Sequence, residues 1–245
     1  ILKVQARNLA KQTGLLSTTV KVTIKSMPPD HAIGENSKRD YPIWKGKEGI
    51  IEARFLNGIG QAFTPSPGDF EGEFSEVFDL DMEGPLPGPI RNRAIFIAVI
   101  NAMCAHLEVA KQNIHCKNDG PEKCACDLLK ALDEGVTGPA KIALIGYQPR
   151  MAEAIAPRYH LRVTDLDPDN IGKEIDGILI EGEEKTDDVI DWCDLMLVTG
   201  STIVNGTIDK YIASRKPIVF YGTTISGAAA LLDLPRFCPR SVESS

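Results

Sequence analysis

The sequence lacks any apolar run as long as the roughly 20 residues that a helix needs to cross a bilayer. Its first segment, Ile1 to Gln12, carries Lys3, Arg7 and Lys11 at helical spacing and has no apolar signal-peptide core. We therefore expect no membrane association and a cytoplasmic location.

The sequence also lacks a concentrated block of lysine and arginine. Its 27 basic residues are outnumbered by 34 acidic ones, which gives a formal net charge of −7. Sequence-independent binding to nucleic acid needs clustered cations that displace counterions. DNA and RNA are therefore not expected as partners.

Familiar catalytic motifs are missing as well. The chain contains no P-loop, no nucleophile elbow and no H-E-x-x-H zinc motif. None of its four histidines has an obvious partner in the sequence, although a Ser–His or Cys–His pair would meet only in the folded chain. The sequence therefore names no catalytic residue and no reaction.

Cysteine and histidine are grouped in one segment. His115 and Cys116 are followed by Cys124 and Cys126. Thiolates and imidazole suit zinc, copper(I) or iron–sulfur ligation, but the spacing matches none of the usual C-x2-C zinc arrangements. Cys116, Cys124 and Cys126 are candidate metal ligands, the last two from a turn before a helix over 127–132. The alternative is a solvent-facing loop with free thiols.

The C-terminal half contains the same unit twice. Apolar runs at 194–199 and 217–221 each end in small polar residues and lead into a helical pattern. Such runs are typical of buried parallel strands in βαβ units, whose carboxyl ends hold the ligand. The small polar residues at these ends are Gly200, Ser201 and Thr202 in the first unit and Gly222, Thr223 and Thr224 in the second.

Hydroxyl and amide groups are dense after the first of these strands. Thr199, Ser201, Thr202, Asn205 and Thr207 lie within nine residues. A helix N-terminus binds anions through its free N–H groups, and the same residue types are preferred helix caps. Five such groups exceed what capping requires, so we favour ligand contact.

An earlier strand pair resembles a dinucleotide site only in part. Gly146 follows a predicted strand over 142–145, but the later glycines of G-x-G-x-x-G are absent, which counts against tight NAD or FAD binding. Asp165 ends the next predicted strand, where it either accepts ribose hydroxyls or caps a loop. This pair is compatible with a nucleoside-like ligand, including S-adenosylmethionine.

The N-terminal half has a different pattern. Alternating residues predict strands over 17–24, 49–55 and 60–64, and a helix is expected over 70–80. A strong helical pattern covers 90–109, and Asn101 lies on its apolar face. Because a buried amide must be hydrogen-bonded, Asn101 either bonds a loop backbone or faces a ligand.

The sequence closely resembles the putative heavy-metal chelation family. The matching segments are 191–207, 219–227, Gly60 to Thr64, Asn92-Arg93, Ile100 to Ala102 and His115 to Lys117 with Cys124. The resemblance implies an α/β protein with a small antiparallel α+β domain similar to the enolase N-terminal domain, over 1–118. A Rossmann-like doubly wound parallel-sheet domain follows, over 119–245. It further implies an interdomain cleft lined by Gln61, Asn101, Gly146, Asp165, the 199–205 loop and the 222–224 loop.

Three functions follow as expectations. The first is binding of a small polar ligand in the cleft: a metal, a metal chelate or a chelating metabolite such as a pterin-like compound. The second is a transferase or hydrolase that acts on a pterin-like or other small metabolite, with a nucleoside-type cofactor such as S-adenosylmethionine. The third is an interaction protein that uses its acidic surface. The cofactor is left open, with a metal ion as one candidate, and a homodimer is a further expectation.

Overall fold

The computed structural model describes residues 1–17, 19–35, 40–83, 88–175 and 177–242. They form a four-stranded antiparallel sheet followed by a seven-stranded, mostly parallel sheet, with helices packed on both. This confirms the predicted α/β fold class. The expected boundary between residues 118 and 119 falls just before a long helix that begins at Gly120.

The helices are short apart from three. Their bounds are α1 Leu2–Gln12, α2 Pro29–Ile33, α3 Gly88–His106, α4 Gly120–Gly135, α5 Pro149–Ile155, α6 Thr186–Trp192, α7 Ser201–Asn205, α8 Ile208–Ala213 and α9 Ser226–Leu232. Within the described ranges, no helix combines the length and hydropathy that crossing a bilayer would require.

The antiparallel sheet has the order β3-β2-β1-β4. Its strands are β1 Lys21–Met27, β2 Gly49–Phe55, β3 Gly58–Thr64 and β4 Phe70–Glu73. The strands predicted over 49–55 and 60–64 are confirmed, and they pair with each other as a hairpin. The strand predicted over 17–24 begins at Lys21, four residues later than predicted. Thr18, which belongs to that predicted strand, lies outside the described residues. The helix predicted over 70–80 is wrong: Phe70–Glu73 pairs with β1, and only Phe74–Asp79 is helical, as a 3-10 turn.

One face of this sheet is covered by α3, whose side chains from Ala94 to Cys104 are buried. The closest approach is at β3. A Cβ on Gly60 would overlap the backbone nitrogen of Ala102 and the carbonyl oxygen of Ala98. The glycine therefore allows the strand to lie directly on the helix backbone.

The larger sheet has the order β11-β10-β9-β5-β6-β8-β7, and only β7 is antiparallel to its neighbour. Its strands are β5 Lys141–Ile145, β6 His160–Thr164, β7 Glu174–Ile175, β8 Ile178–Glu181, β9 Leu195–Thr199, β10 Ile218–Tyr221 and β11 Arg236–Phe237. One apolar cluster packs α4 and α5 on one face, and a second packs α6 and α9 on the other. Helices on both faces make the sheet doubly wound, as predicted.

Candidate functional site

A cleft of about 630 Å³ lies where elements of the two sheets meet. The antiparallel part of the molecule contributes β3 and the loop before β2. The parallel sheet contributes the loops that follow β5, β6 and β9. Residues that line the cleft include Tyr41, Lys47, Glu48, Phe63, His115, Gly146, Tyr147, Asp165, Asp167, Thr199, Ser201, Thr202, Asn205, Lys210 and Tyr221.

The position of the cleft follows from the order of the strands. From β5 the chain moves to β6 and β8 on one side, and then returns to β9, β10 and β11 on the other. The order therefore reverses between β5 and β9. Ligands of open parallel sheets bind outside the carboxyl ends of the strands at such a reversal, and Gly146 and Thr199 mark this point here.

Gly146 is required by both conformation and space. Its φ is +88°, and a Cβ at this position would lie 2.7 Å from Thr199 Cγ2 and 3.2 Å from the Tyr221 hydroxyl. The Tyr221 hydroxyl donates a hydrogen bond of 2.7 Å to the Gly146 carbonyl oxygen. The first glycine of the partial dinucleotide motif therefore packs the loop against two neighbouring strands.

Asp165 both caps a loop and lines the cleft. Its Oδ2 accepts a hydrogen bond from the Tyr147 amide at 2.7 Å, and its Oδ1 accepts one from the Asp167 amide at 2.7 Å. Burial raises the pKa of its carboxyl, while these amide bonds oppose the rise. A carboxylate oxygen can accept more than one hydrogen bond, so Asp165 can still accept a donor from a ligand.

The polar groups after β9 divide into two kinds. Thr202 Oγ1 donates to the Thr199 carbonyl oxygen at 2.8 Å, and Thr199 Oγ1 accepts from the Ser201 amide at 3.4 Å. Among the described residues, the Ser201 hydroxyl and the Asn205 side-chain amide have no hydrogen-bond partner. These two side chains are therefore the groups of this loop that remain available to a ligand.

The loop before β2 brings charge into the cleft. Lys47 Nζ lies 2.7 Å from Asp169 Oδ2 and 3.7 Å from Asp167 Oδ1, so it joins this loop to the one that follows β6. Glu48 is the next residue and also lines the cleft. Burial, together with the negative charges of Asp165 and Asp167, raises the pKa of Glu48 to about 7.

The opposite wall is aromatic and weakly polar. His115 packs edge-on against Phe63 with ring centroids 5.1 Å apart. Burial lowers the pKa of His115 to about 4, so its imidazole is neutral at pH 7. Tyr41 is 8% exposed, and burial raises the pKa of its hydroxyl. This wall therefore offers apolar surface with neutral polar edges.

Asn101 joins chain segments instead of lining the cleft. Its Nδ2 donates to the carbonyl oxygens of Gln61 and Thr224, both at 2.9 Å, and its Oδ1 accepts from the Gly227 amide at 2.8 Å. The side chain is completely buried. Of the two roles left open for Asn101, the structure shows the backbone bonds.

The side chains of Gln61 and Thr224, whose backbone carbonyls bond Asn101, form further hydrogen bonds between distant chain segments. Gln61 Oε1 accepts from the His115 amide at 2.8 Å, and its Nε2 donates to Glu52 at 2.9 Å. Thr224 Oγ1 accepts from the Phe63 amide at 3.0 Å. Six of the predicted site residues therefore lie outside the cleft lining, in or near the hydrogen-bonded contacts that join the two sheets: Gln61, Asn101, Gly200, Gly222, Thr223 and Thr224. The other six line the cleft: Gly146, Asp165, Thr199, Ser201, Thr202 and Asn205.

The three predicted thiol ligands do not meet. Cys124 and Cys126 lie inside α4 and not in a turn before it. Residues that are two positions apart in a helix point in directions about 200° apart, so these two side chains lie on opposite faces. Cys124 is buried beside Cys116, and Cys126 is exposed. The charge of Cys238 adds to the raised pKa values of Cys116 and Cys124, which places Cys238 near this pair.

A directly bound metal ion does not fit these side chains. Across the described ranges, no group of three or more His, Cys, Asp or Glu side chains is arranged to hold a metal ion. Burial also raises the pKa values of Cys116 and Cys124 to about 12, which favours the protonated thiol over the metal-binding thiolate.

Several cleft residues escaped the sequence predictions. Glu48 and Lys47 lie in a charged loop without periodicity, and Tyr41 stands in the same loop, so no pattern marks them. Asp167 and Tyr221 had a signal, because each lies at or just beyond the carboxyl end of a predicted strand. All five line the cleft.

Comparison with known proteins confirms the resemblance found in the sequence. Residues 130–235 match the sequence model of the family DUF364, described as putative heavy-metal chelation. No curated protein matches the chain.

Two solved structures share the fold. One is a protein with unknown function from the DUF364 family of Pyrococcus horikoshii: TM-score 0.55, 17% identity, covering 91% of this chain and 80% of that chain. The other, also of unknown function and from the DUF364 family, comes from Desulfitobacterium hafniense: TM-score 0.52, 16% identity, covering 77% and 73%. At these identities the likeness establishes the fold alone.

Proposed function

We propose that the protein binds a small polar organic molecule in the cleft between its two sheets. The observation that carries this proposal is the coincidence of the cleft with the strand-order reversal between β5 and β9. A pocket of about 630 Å³ is within the range of roughly 300–1,000 Å³ that small-molecule sites occupy.

The lining supports a ligand with both polar and apolar parts. The Ser201 hydroxyl and the Asn205 amide are free to bond a ligand, and Asp165 retains acceptor capacity. Phe63 and His115, packed edge-on against each other, provide an aromatic, largely apolar wall. A few placed polar groups in an otherwise apolar pocket fix the orientation of a ligand.

The family description points to chelation of heavy metal, and a metal could reach the cleft in two ways. Direct coordination by side chains does not fit the described residues. A metal carried by an organic chelator needs no protein ligand for the ion, because the chelator's own atoms coordinate it. The proposal is therefore compatible with a chelating metabolite and does not require a metal.

Native mass spectrometry of protein purified without chelators tests the proposal. The native mass should exceed the denatured mass by that of an organic molecule. An excess equal to one metal ion, or an excess that the same protein shows after unfolding, would contradict it.

A second candidate function is an enzyme that uses a nucleoside-type cofactor. Asp165 favours it, because it follows β6, the strand after Gly146, where a carboxylate can accept ribose hydroxyls. S-adenosylmethionine should then bind in a calorimetric titration, and Asp165→Ala should abolish that binding. Equal binding by both proteins would remove this candidate.

A further inference from the structure

Glu48 has a distinctive position in the cleft. It is the one lining carboxylate from the antiparallel half of the described chain that faces the carboxylates after β6. The neighbouring residue, Lys47, forms ion pairs with Asp167 and Asp169, and these pairs hold the backbone at Glu48 close to the loop that follows β6. Among the described residues, Glu48 has neither a hydrogen-bond partner nor an ion-pair partner.

The neighbouring charge is incompletely paired. Lys47 lies nearer to Asp169 than to Asp167, and Asp167 Oδ2 is buried without a hydrogen-bond partner among the described residues. Asp165 accepts hydrogen bonds from backbone amides and has no ion-pair partner among the described residues. Four carboxyl groups, those of Glu48, Asp165, Asp167 and Glu183, therefore line one cavity with two lysines, Lys47 and Lys210, and Lys47 is already paired with Asp169.

A metal ion is a poor partner for this arrangement. Among the described residues, no group of three or more His, Cys, Asp or Glu side chains is arranged to hold a metal ion. An amidinium or similar planar cation presents several N–H donors over a wider span, and such donors form strong charge-assisted bonds with carboxylates. The aromatic wall of Phe63 and His115 offers apolar surface to the carbon skeleton that would carry this group.

We infer that Glu48 selects a cleft ligand that carries an amidinium or a similar planar cation, held between Glu48 and the carboxylates of Asp165 and Asp167. The inference rests on the proposed function and narrows its ligand class. It assigns Glu48 a role in specificity and no part in a reaction.

Two isosteric probes, benzamidinium and uncharged benzamide, test the inference in calorimetric titrations at pH 8. The wild-type protein should bind benzamidinium at least tenfold more tightly than benzamide. Glu48→Gln should weaken benzamidinium binding about tenfold and leave benzamide binding unchanged, as expected for one charge-assisted bond. The control Glu71→Gln removes the same charge at an exposed site on β4 and should change either affinity less than twofold.

Equal affinities for the two probes, no measurable benzamidinium binding at millimolar concentration, or equal effects of Glu48→Gln and Glu71→Gln would each overturn the inference. Asp167→Asn repeats the test on the other side of the bound cation from Glu48. It should weaken benzamidinium binding and leave benzamide binding unchanged. The proposed function is judged separately by the native mass. An organic mass excess from a compound without a basic nitrogen would leave that function standing and refute only the role of Glu48.

Discussion

Asn101 shows how much one buried amide can connect. Its bonds reach β3, the loop after β10 and the first turn of α9, three segments that are distant in the sequence. Gln61, one of its partners, holds the backbone of His115 in the cleft wall. Asn101 therefore acts on the cleft by positioning both of its sides.

Replacing Asn101 with alanine should lower the free energy of unfolding by about 3 kcal/mol or more. The reason is that the Gln61 and Thr224 carbonyls and the Gly227 amide would remain buried without partners, each at about 1–3 kcal/mol. The control is Asn92→Ala on the same helix, which loses one exposed bond to Asp81 and should cost under about 1 kcal/mol. Urea denaturation measures both, and similar losses would contradict the account.

Glu48 should make stability depend on pH. Its folded pKa of about 7 lies above the ordinary value of 4.5, so the folded state holds the proton more tightly than the unfolded state. Stability from this group is therefore full below about pH 4.5 and falls as pH rises through 7, by on the order of 1–3 kcal/mol for a partly buried group.

Glu48→Gln should remove that fall, so that the variant is more stable than the wild type at pH 8 but not at pH 4.5. The difference between the two proteins isolates Glu48 from His115, whose lowered pKa acts in the opposite direction at acid pH. Urea midpoints at both pH values measure it. A constant difference between the proteins would show that Glu48 titrates normally.

At the scale of the element, the strands and helices were predictable where periodicity is strong. β2 was predicted with its exact bounds, and α3 was predicted within three residues at each end. The segment from Phe70 to Leu80 was not, because pairing of β4 with β1 overrides a local helical pattern. Likewise α4 begins seven residues before the predicted helix and so separates Cys124 from Cys126.

The path of α4 predicts how its thiols react. Iodoacetamide should modify exposed Cys126 first, and Cys116 and Cys124, both under 9% exposed, at least about tenfold more slowly. Peptide mass spectrometry over time measures the three rates. Added Zn²⁺ should not protect Cys116 or Cys124. Protection of both by one equivalent of zinc would restore the thiol metal site.

The contact between β3 and α3 should tolerate no side chain at Gly60. Gly60→Ala would force the strand away from the backbone of Ala98 and Ala102, and should lower the free energy of unfolding by several kcal/mol, beyond the 1–3 kcal/mol typical of overpacking. Gly135→Ala, where a Cβ meets no atom within 4 Å, is the matched control and should be neutral. Equal stability of the two variants would contradict the packing described.

At the scale of the whole molecule, the sequence located the cleft better than its lining. The repeated units predicted the carboxyl ends of β9 and β10, and Asp165 predicted that of β6, because strand patterns are local. Glu48 and Tyr41 come from an irregular loop that only the folded chain brings to the same place. Asn101 was recognised as important, but whether it bonds backbone or ligand depends on contacts more than 100 residues away in sequence.

The central claim is that an organic ligand occupies this cleft, and native mass spectrometry of two tyrosine variants tests it most directly. Ser201→Tyr places a bulky ring in the cleft, whereas Ser17→Tyr makes the same change at an exposed residue outside it. The account predicts an organic mass excess in the wild type and in Ser17→Tyr, and its loss in Ser201→Tyr. The same excess in all three proteins would place the ligand elsewhere and contradict the claim.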